Sequence, residues 1–314
     1  MKKFLLGVAA LFVITFGITV YFVQQVIAFT PSTEEEVSHW VDTDVLKNVD
    51  WPVEDISFTT FKNSIDSTGE KLKLSGLLIR SKNENAPTVI ALHGKGGNRV
   101  GVIRFGYLFY KLGFNVLIYD QRHHGRSEGN YTTYGYFESH DVSTAIDFLE
   151  SKSINTNQLG IIGESFGAAT SLMAGALDKR IKFVIADSSY IDMPTAVRDN
   201  AWRMNYLPSH PIPDLGFLVA GWLADFDPYK VSPINSIRTI NKPVLIAHCD
   251  QDVWAYPEYA YQLYEASDKE QTELKMFKDC SHVAAINDYP EDYETMVAGF
   301  LERHEADFLA SKNN

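Results

Sequence analysis

A chain of 314 residues, with 45% hydrophobic and 13% aromatic residues, can bury one large core or two small ones. A formal net charge of -12 with no basic stripe argues against a nucleic-acid partner, which would need cations to neutralise phosphates. Two cysteines, Cys249 and Cys280, are too few for a disulfide framework.

Met1-Lys2-Lys3 is followed by twenty residues, Phe4 to Val23, without a charge, Asn, Gln or Pro. As a helix such a run spans about 30 Å, the hydrocarbon thickness of a bilayer. Lysines precede it and Glu34-Glu35-Glu36 follow, so the positive-inside rule leaves the amino terminus in the cytoplasm and the main domain outside. An uncleaved anchor over residues 1–29 is favoured over a signal peptide cut near Val26-Ile27-Ala28, because the apolar run exceeds a usual signal core. Cleavage would make the protein secreted. Residues 30–52 read as a short acidic stalk or helix, with Ser32 and Glu35 as a candidate capping box.

From residue 53 to 314 the pattern is that of one domain. Ile56–Lys62 and Lys71–Ile79 form opening strands around a turn at Ser67-Thr68-Gly69. Thr88–Leu92 is a buried strand, followed by the glycine-rich His93-Gly94-Lys95-Gly96-Gly97-Asn98. Helix Val100–Leu112, strand Asn115–Tyr119, a polar loop Asp120–Gly129 and helix Glu138–Leu149 come next. Strands then begin at Leu159 and Phe183, the second ending at Asp187. Alternating strands and helices imply a mostly parallel sheet covered on both faces.

Between Tyr190 and Ile240 the rhythm breaks into a proline-rich segment carrying Trp202, Tyr206, Phe217, Trp222, Phe226 and Tyr229. It is too apolar to stay solvated, which predicts a lid over a site. Within it, Leu215–Ala224 has no charged residue and is too short to span a membrane. Such a stretch either packs on the sheet or, beside a tether, leans on lipid. Strand Pro243–Ala247, helix Glu258–Ala266, strand Glu273–Phe277, loop Lys278–Pro290 and a helix from about Glu291 to Leu309 close the chain.

The chemistry centres on Leu159–Ala176, where an apolar strand runs through Gly163-Glu164-Ser165-Phe166-Gly167 into a helix. A serine on so sharp a turn needs glycine two places to either side, since strand and helix approach too closely for a Cβ. Its hydroxyl then stands clear, beside unpaired N–H groups at the helix start. Serine needs a base to take its proton, and the base needs an acid to orient it. His282, in the loop after the last strand, is the candidate base, while His304 reads as a solvated helix residue. Asp252, past the strand at Val244–Ala247, is the candidate acid. Asp250 and then Asp187 are its competitors, and turn capping suits Asp250 better.

The order Ser165, Asp252, His282 is that of nucleophile-elbow enzymes. With the His93–Asn98, Asp120–Ser127, Gly163–Gly167 and Ser281-His282 segments, the chain resembles an α/β-hydrolase-fold serine hydrolase. It is most similar to lidded, membrane-anchored bacterial members near the serine aminopeptidase-like branch. The resemblance implies a mostly parallel eight-stranded sheet with a lid after strand 6, and oxyanion donors at the backbone N–H groups of Lys95 and Phe166. The chain departs from the family pattern at His123 and Cys249, where glycine is common.

The reading that follows is acyl transfer on carboxylic esters of short to medium chain length, at the outer membrane face, with lipid-like or acylated cell-envelope compounds as candidate substrates. A peptidase releasing amino-terminal residues, for which Asp214 and Asp225 are scattered acidic candidates, and a non-catalytic binding module are the alternatives. Neither H-E-x-x-H nor Cys/His ligand spacing occurs, so neither metal nor cofactor is expected. Cys249 and Cys280 lie in the loops of the acid and the base, where they are either a disulfide or a pair of buried thiols.

Overall fold

The computed structural model describes residues 1–39 and 51–309; the rest of the expected stalk lies outside the described residues. Eight strands form one sheet: β1 Val53–Asn63, β2 Thr68–Ile79, β3 Thr88–Leu92, β4 Asn115–Tyr119, β5 Leu159–Glu164, β6 Ile181–Asp187, β7 Val244–Cys249 and β8 Thr272–Phe277. They are ordered β1-β2-β4-β3-β5-β6-β7-β8, with β1 and β2 antiparallel and β4 through β8 parallel. Because helices cover both faces, β3, β4 and β5 are buried at every position, which is why they read as unbroken apolar runs rather than alternating ones.

Alternate residues of one strand serve two cores. Ile90, Leu92 and Leu117 pack with α4 Glu138–Ser151 and α5 Phe166–Leu177. Val89, Ala91 and Val116 pack with Phe105 and Phe109 of α3 Ile103–Lys111 and Phe300 of the last helix, Pro290–Leu309.

In the amino-terminal helix α1, Lys2–Ile27, the described side chains up to Ile18 are exposed apart from the half-buried Thr15. The last third of the helix buries Thr19, Phe22, Val23, Val26 and Ile27, an i, i+3, i+4, i+7, i+8 stripe, in the core shared with α4 and α5. Helix α2, Glu34–Ser38, does not stand free as a stalk would. Glu34 binds the buried Arg99 at 2.7 Å, Asn98 donates to Ser32 O, and Val37 is buried. Its capping box is Thr33 with Glu36, one residue beyond the expected pair.

Between β6 and β7 the aromatic segment folds into α6 Met193–Asn205, α7 Ile212–Ala224, a single 3-10 turn and α8 Pro233–Ile237. Arg198 of α6 pairs with Asp214 of α7 at 2.6 Å. Helix α7 packs on α1 as well, so closely that a Cβ on Gly216 would meet the Phe22 ring at 3.0 Å.

Candidate active site

Ser165 sits between β5 and α5 with φ 53° and ψ -115°, a left-handed conformation that costs a non-glycine residue energy. A Cβ on Gly163 would come within 2.2 Å of Gly167 O, and one on Gly167 within 2.3 Å of Leu92 O. Glycine is therefore required on both sides for the turn to close. The result holds Ser165 Oγ at the carboxyl ends of the central strands.

The loops after β7 and β8 bring the other two side chains to it. Ser165 Oγ donates to His282 Nε2 at 2.9 Å, and His282 Nδ1 donates to Asp252 Oδ2 at 2.6 Å. The other oxygen of Asp252 accepts the backbone N–H groups of Trp254 and Ala255 at 2.8 and 2.9 Å. Burial opposes its ionisation, yet hydrogen bonds and charge from His248 and His282 outweigh that and hold its carboxyl well below the usual range. Of its competitors, Asp250 is exposed, and Asp187 is engaged by Tyr293 and Ser188 hydroxyls at 3.0 and 2.9 Å. His304 is half-buried rather than solvated, with Nε2 on Glu273 at the far end of β8.

The loop after β3 closes the site from the opposite side. The Gln121 backbone N–H donates to His93 Nε2 at 3.0 Å, which leaves the proton on Nδ1 to reach Gly94 O at 2.8 Å. Burial lowers the His93 pKa and keeps this ring neutral. Gly94 lies so close to Ser165 that a Cβ there would touch its Cβ at 3.4 Å. Beside Ser165, the backbone N–H groups of Lys95 and Phe166 have no acceptor among the described residues. Two donors without an acceptor next to a serine hydroxyl suit an oxygen that gains negative charge.

Cys249 and Cys280 are joined, with a Cα separation of 5.2 Å, so the segments bearing acid and base are covalently linked. His123 adopts φ 63°, the region a glycine would occupy, and its Nε2 meets Phe29 O at 2.9 Å. Both departures from the family pattern are thus used as ties.

Ser165, His282 and Lys95 separate two cavities. One, of about 370 Å³, is lined mainly by Tyr134, Phe166, Tyr190, Val197 and Trp254. The other, of about 350 Å³, is more polar and includes Arg104, Glu164, Ser281 and Asn287. Arg104 binds Glu164 and also donates to Val283 O at 3.2 Å, bracing the residue after the base. Asp214 and Asp225 line neither cavity: Asp214 is held by Arg198 and His210, and Asp225 is an exposed helix end. Sequence reasoning missed Arg104, His248 and Asn200, which ties α6 to Trp254 O at 2.8 Å. The partners of Arg104 and Asn200 are tens of residues away, and His248, although only four residues from Asp252, carries no motif that distinguishes it from an ordinary strand residue.

A family model described as X-Pro dipeptidyl-peptidase (S15 family) matches residues 30–207. The Bacillus subtilis protein YqkD is 30% identical over 307 residues, covering 96% of this chain and 98% of its own length. Among solved structures, the Pyrococcus furiosus esterase Pf2001 superposes with a TM-score of 0.65 and 26% identity, covering 82% of this chain and 95% of that one. An acylaminoacyl peptidase from Pyrococcus horikoshii superposes with a TM-score of 0.61 over 83% of this chain and 43% of its own. At 16% identity it speaks to the fold alone.

Proposed function

From a chain that belongs to the S15 X-Pro dipeptidyl-peptidase family and folds as an α/β-hydrolase, we propose a serine hydrolase that cleaves carboxylic esters through an acyl-enzyme. The observation that carries this reading is the unbroken relay from Ser165 Oγ through His282 to Asp252, with the free Lys95 and Phe166 N–H groups beside it. Ser165 attacks the ester carbonyl as its proton passes to His282 Nε2. The two amides hold the oxyanion, and His282 returns the proton to the departing alkoxide. Water, activated by the same imidazole, then frees the acid.

The apolar cavity is the acyl chamber, with α6 as part of the lid. Its 370 Å³ lies near the small end of the roughly 300 to 1,000 Å³ usual for ligand sites, which supports short to medium chains. The polar cavity takes the alcohol. A free substrate amine would meet the Lys95 cation in either cavity, and the Glu164 carboxylate nearby is already matched to Arg104. This favours esters over a free peptide amino terminus, while the family match supports a peptidase releasing amino-terminal residues as the second reading. Helix α1 anchors the domain, and a disulfide suits the oxidising side of the membrane.

A fluorophosphonate probe should label the wild type and spare Ser165→Ala. A panel of nitrophenyl esters against dipeptide anilides with a free amino terminus should then show butyrate to octanoate esters turned over fastest. Absence of labelling, or anilides hydrolysed better than every ester, overturns the reading.

A further inference from the structure

Helix α7 does not follow the pattern of a surface helix. Its one charged residue, Asp214, is engaged by Arg198 and His210. One side is used by the fold, with Ile212, Gly216, Phe217 and Ala220 buried. The opposite side should be polar, yet Leu215, Leu218 and Trp222, spaced three and four residues apart along one line, are 40, 68 and 81% exposed. A helix apolar all round belongs in a deep core or in contact with lipid.

Its neighbour says what covers that line. The run Phe4 to Val23 of α1 has the length of a bilayer core, about 30 Å at about 1.5 Å per residue. Placed across a membrane, it brings Val23 to the edge of the hydrocarbon. Gly216 of α7 lies against Phe22 and Val23, so that turn of α7, which also carries Leu215 and Leu218, sits at the same depth. Tyr21 on α1 and Trp202, Arg203 and Tyr206 at the end of α6 are exposed. Aromatic and cationic side chains of this kind are enriched at the membrane–water boundary. Val197 of α6 lines the acyl chamber and Arg198 ties α6 to α7, so the helix that bears the stripe is fixed to the wall of that chamber.

We propose that the Leu215, Leu218 and Trp222 stripe rests in the interfacial layer of the bilayer that α1 crosses, so that the chamber draws acyl esters from the leaflet. This rests on the reading of α1 as an uncleaved anchor given above. The test uses the full chain reconstituted in phosphatidylethanolamine and phosphatidylglycerol vesicles, with and without lipids brominated close to the carbonyl end of the acyl chain. Subtracting the emission of Trp222→Phe isolates Trp222. About half of its emission or more should be lost to the brominated lipid, with a smaller loss when bromine sits near the chain terminus. Emission that is equal in brominated and plain vesicles overturns the proposal, as does protein that a carbonate wash strips from the vesicles.

A second measurement reads turnover. Leu218→Glu with Trp222→Glu should slow hydrolysis of a long-chain ester held in vesicles roughly tenfold and leave a soluble butyrate ester unaffected. Equal effects, or none, on the two substrates count against the proposal. Quenching needs no turnover, so an inactive protein with quenched Trp222 would sink the esterase reading and leave this one standing.

Discussion

Asp252 shows how much a single side chain carries. Replacing it with Asn keeps the shape but denies His282 the acceptor that fixes its tautomer. Turnover should fall by about a thousandfold or more with little change in substrate KM, as steady-state kinetics would show. The same carboxyl ties activity to acid stability. Its pKa in the folded chain lies below the ordinary value of about 3.9, so its contribution to stability is complete above that value and is lost as pH falls through it and below. Denaturant titrations at a series of pH values from about 5 down to about 3 should therefore show stability falling less steeply with acid for Asp252→Asn than for the wild type.

Lys95 behaves in the opposite sense. Burial pushes its ammonium down to about 8, and its contacts are Gln25 O and the Phe29 and Tyr134 rings, none of them anionic. The unfolded chain binds this proton more tightly, so stability rises as pH climbs from about 8 towards about 10.4. Lys95→Met, which leaves the backbone N–H in place, should melt a few degrees higher than the wild type at pH 7. The gap should narrow by pH 10, as thermal unfolding at the two values would reveal.

At the level of elements, the site depends on loops held by devices of different visibility. The glycines around Ser165 are legible in sequence because the constraint is local: strand, turn and helix lie within eighteen residues. The partnership of Ser165 with His282 and Asp252 is legible only through chain order and through the rule that strand ends at one edge of a parallel sheet share a face. What could not be read was how the loops are braced. Cys249 and Cys280 are consistent with a bond or with thiols until β7 and β8 are known to be neighbours. Across a sequence separation of 31, the chain-entropy model assigns that bond roughly 3 to 4 kcal/mol. Cys249→Ser with Cys280→Ser should lower the melting temperature by several degrees and depress kcat, because acid and base then drift independently. A reductant should do the same to the wild type and nothing to the double variant.

Over the whole molecule, the expectation least like the outcome concerns the amino-terminal stretch. Its stripe of Thr19, Phe22, Val23, Val26 and Ile27 has a clear helical period, but it overlaps the end of the apolar run Phe4 to Val23, and Gln24 and Gln25 are the polar contrast within it, so composition reads it as the tail of a membrane span. Equally hidden is Arg99 on Glu34, whose partners are 65 residues apart. Burying Phe22, Val23, Val26 and Ile27 contributes on the order of 6 to 12 kcal/mol by transfer, comparable with the entire stability of a typical domain. A chain begun at Thr30 should therefore aggregate or melt far below one begun at Thr19. Light scattering and thermal unfolding of the two soluble truncations would decide it.

The hydrogen bonds from Lys95 to Gln25 O, Thr132 to Ile27 O and His123 to Phe29 O leave no slack between the end of α1 and the loops after β3 and β4. Such a joint is a bracket and not a leash. A leashed hydrolase sweeps a hemisphere around its tether, whereas a bracketed one keeps a fixed heading and hydrolyses only what arrives at its mouth.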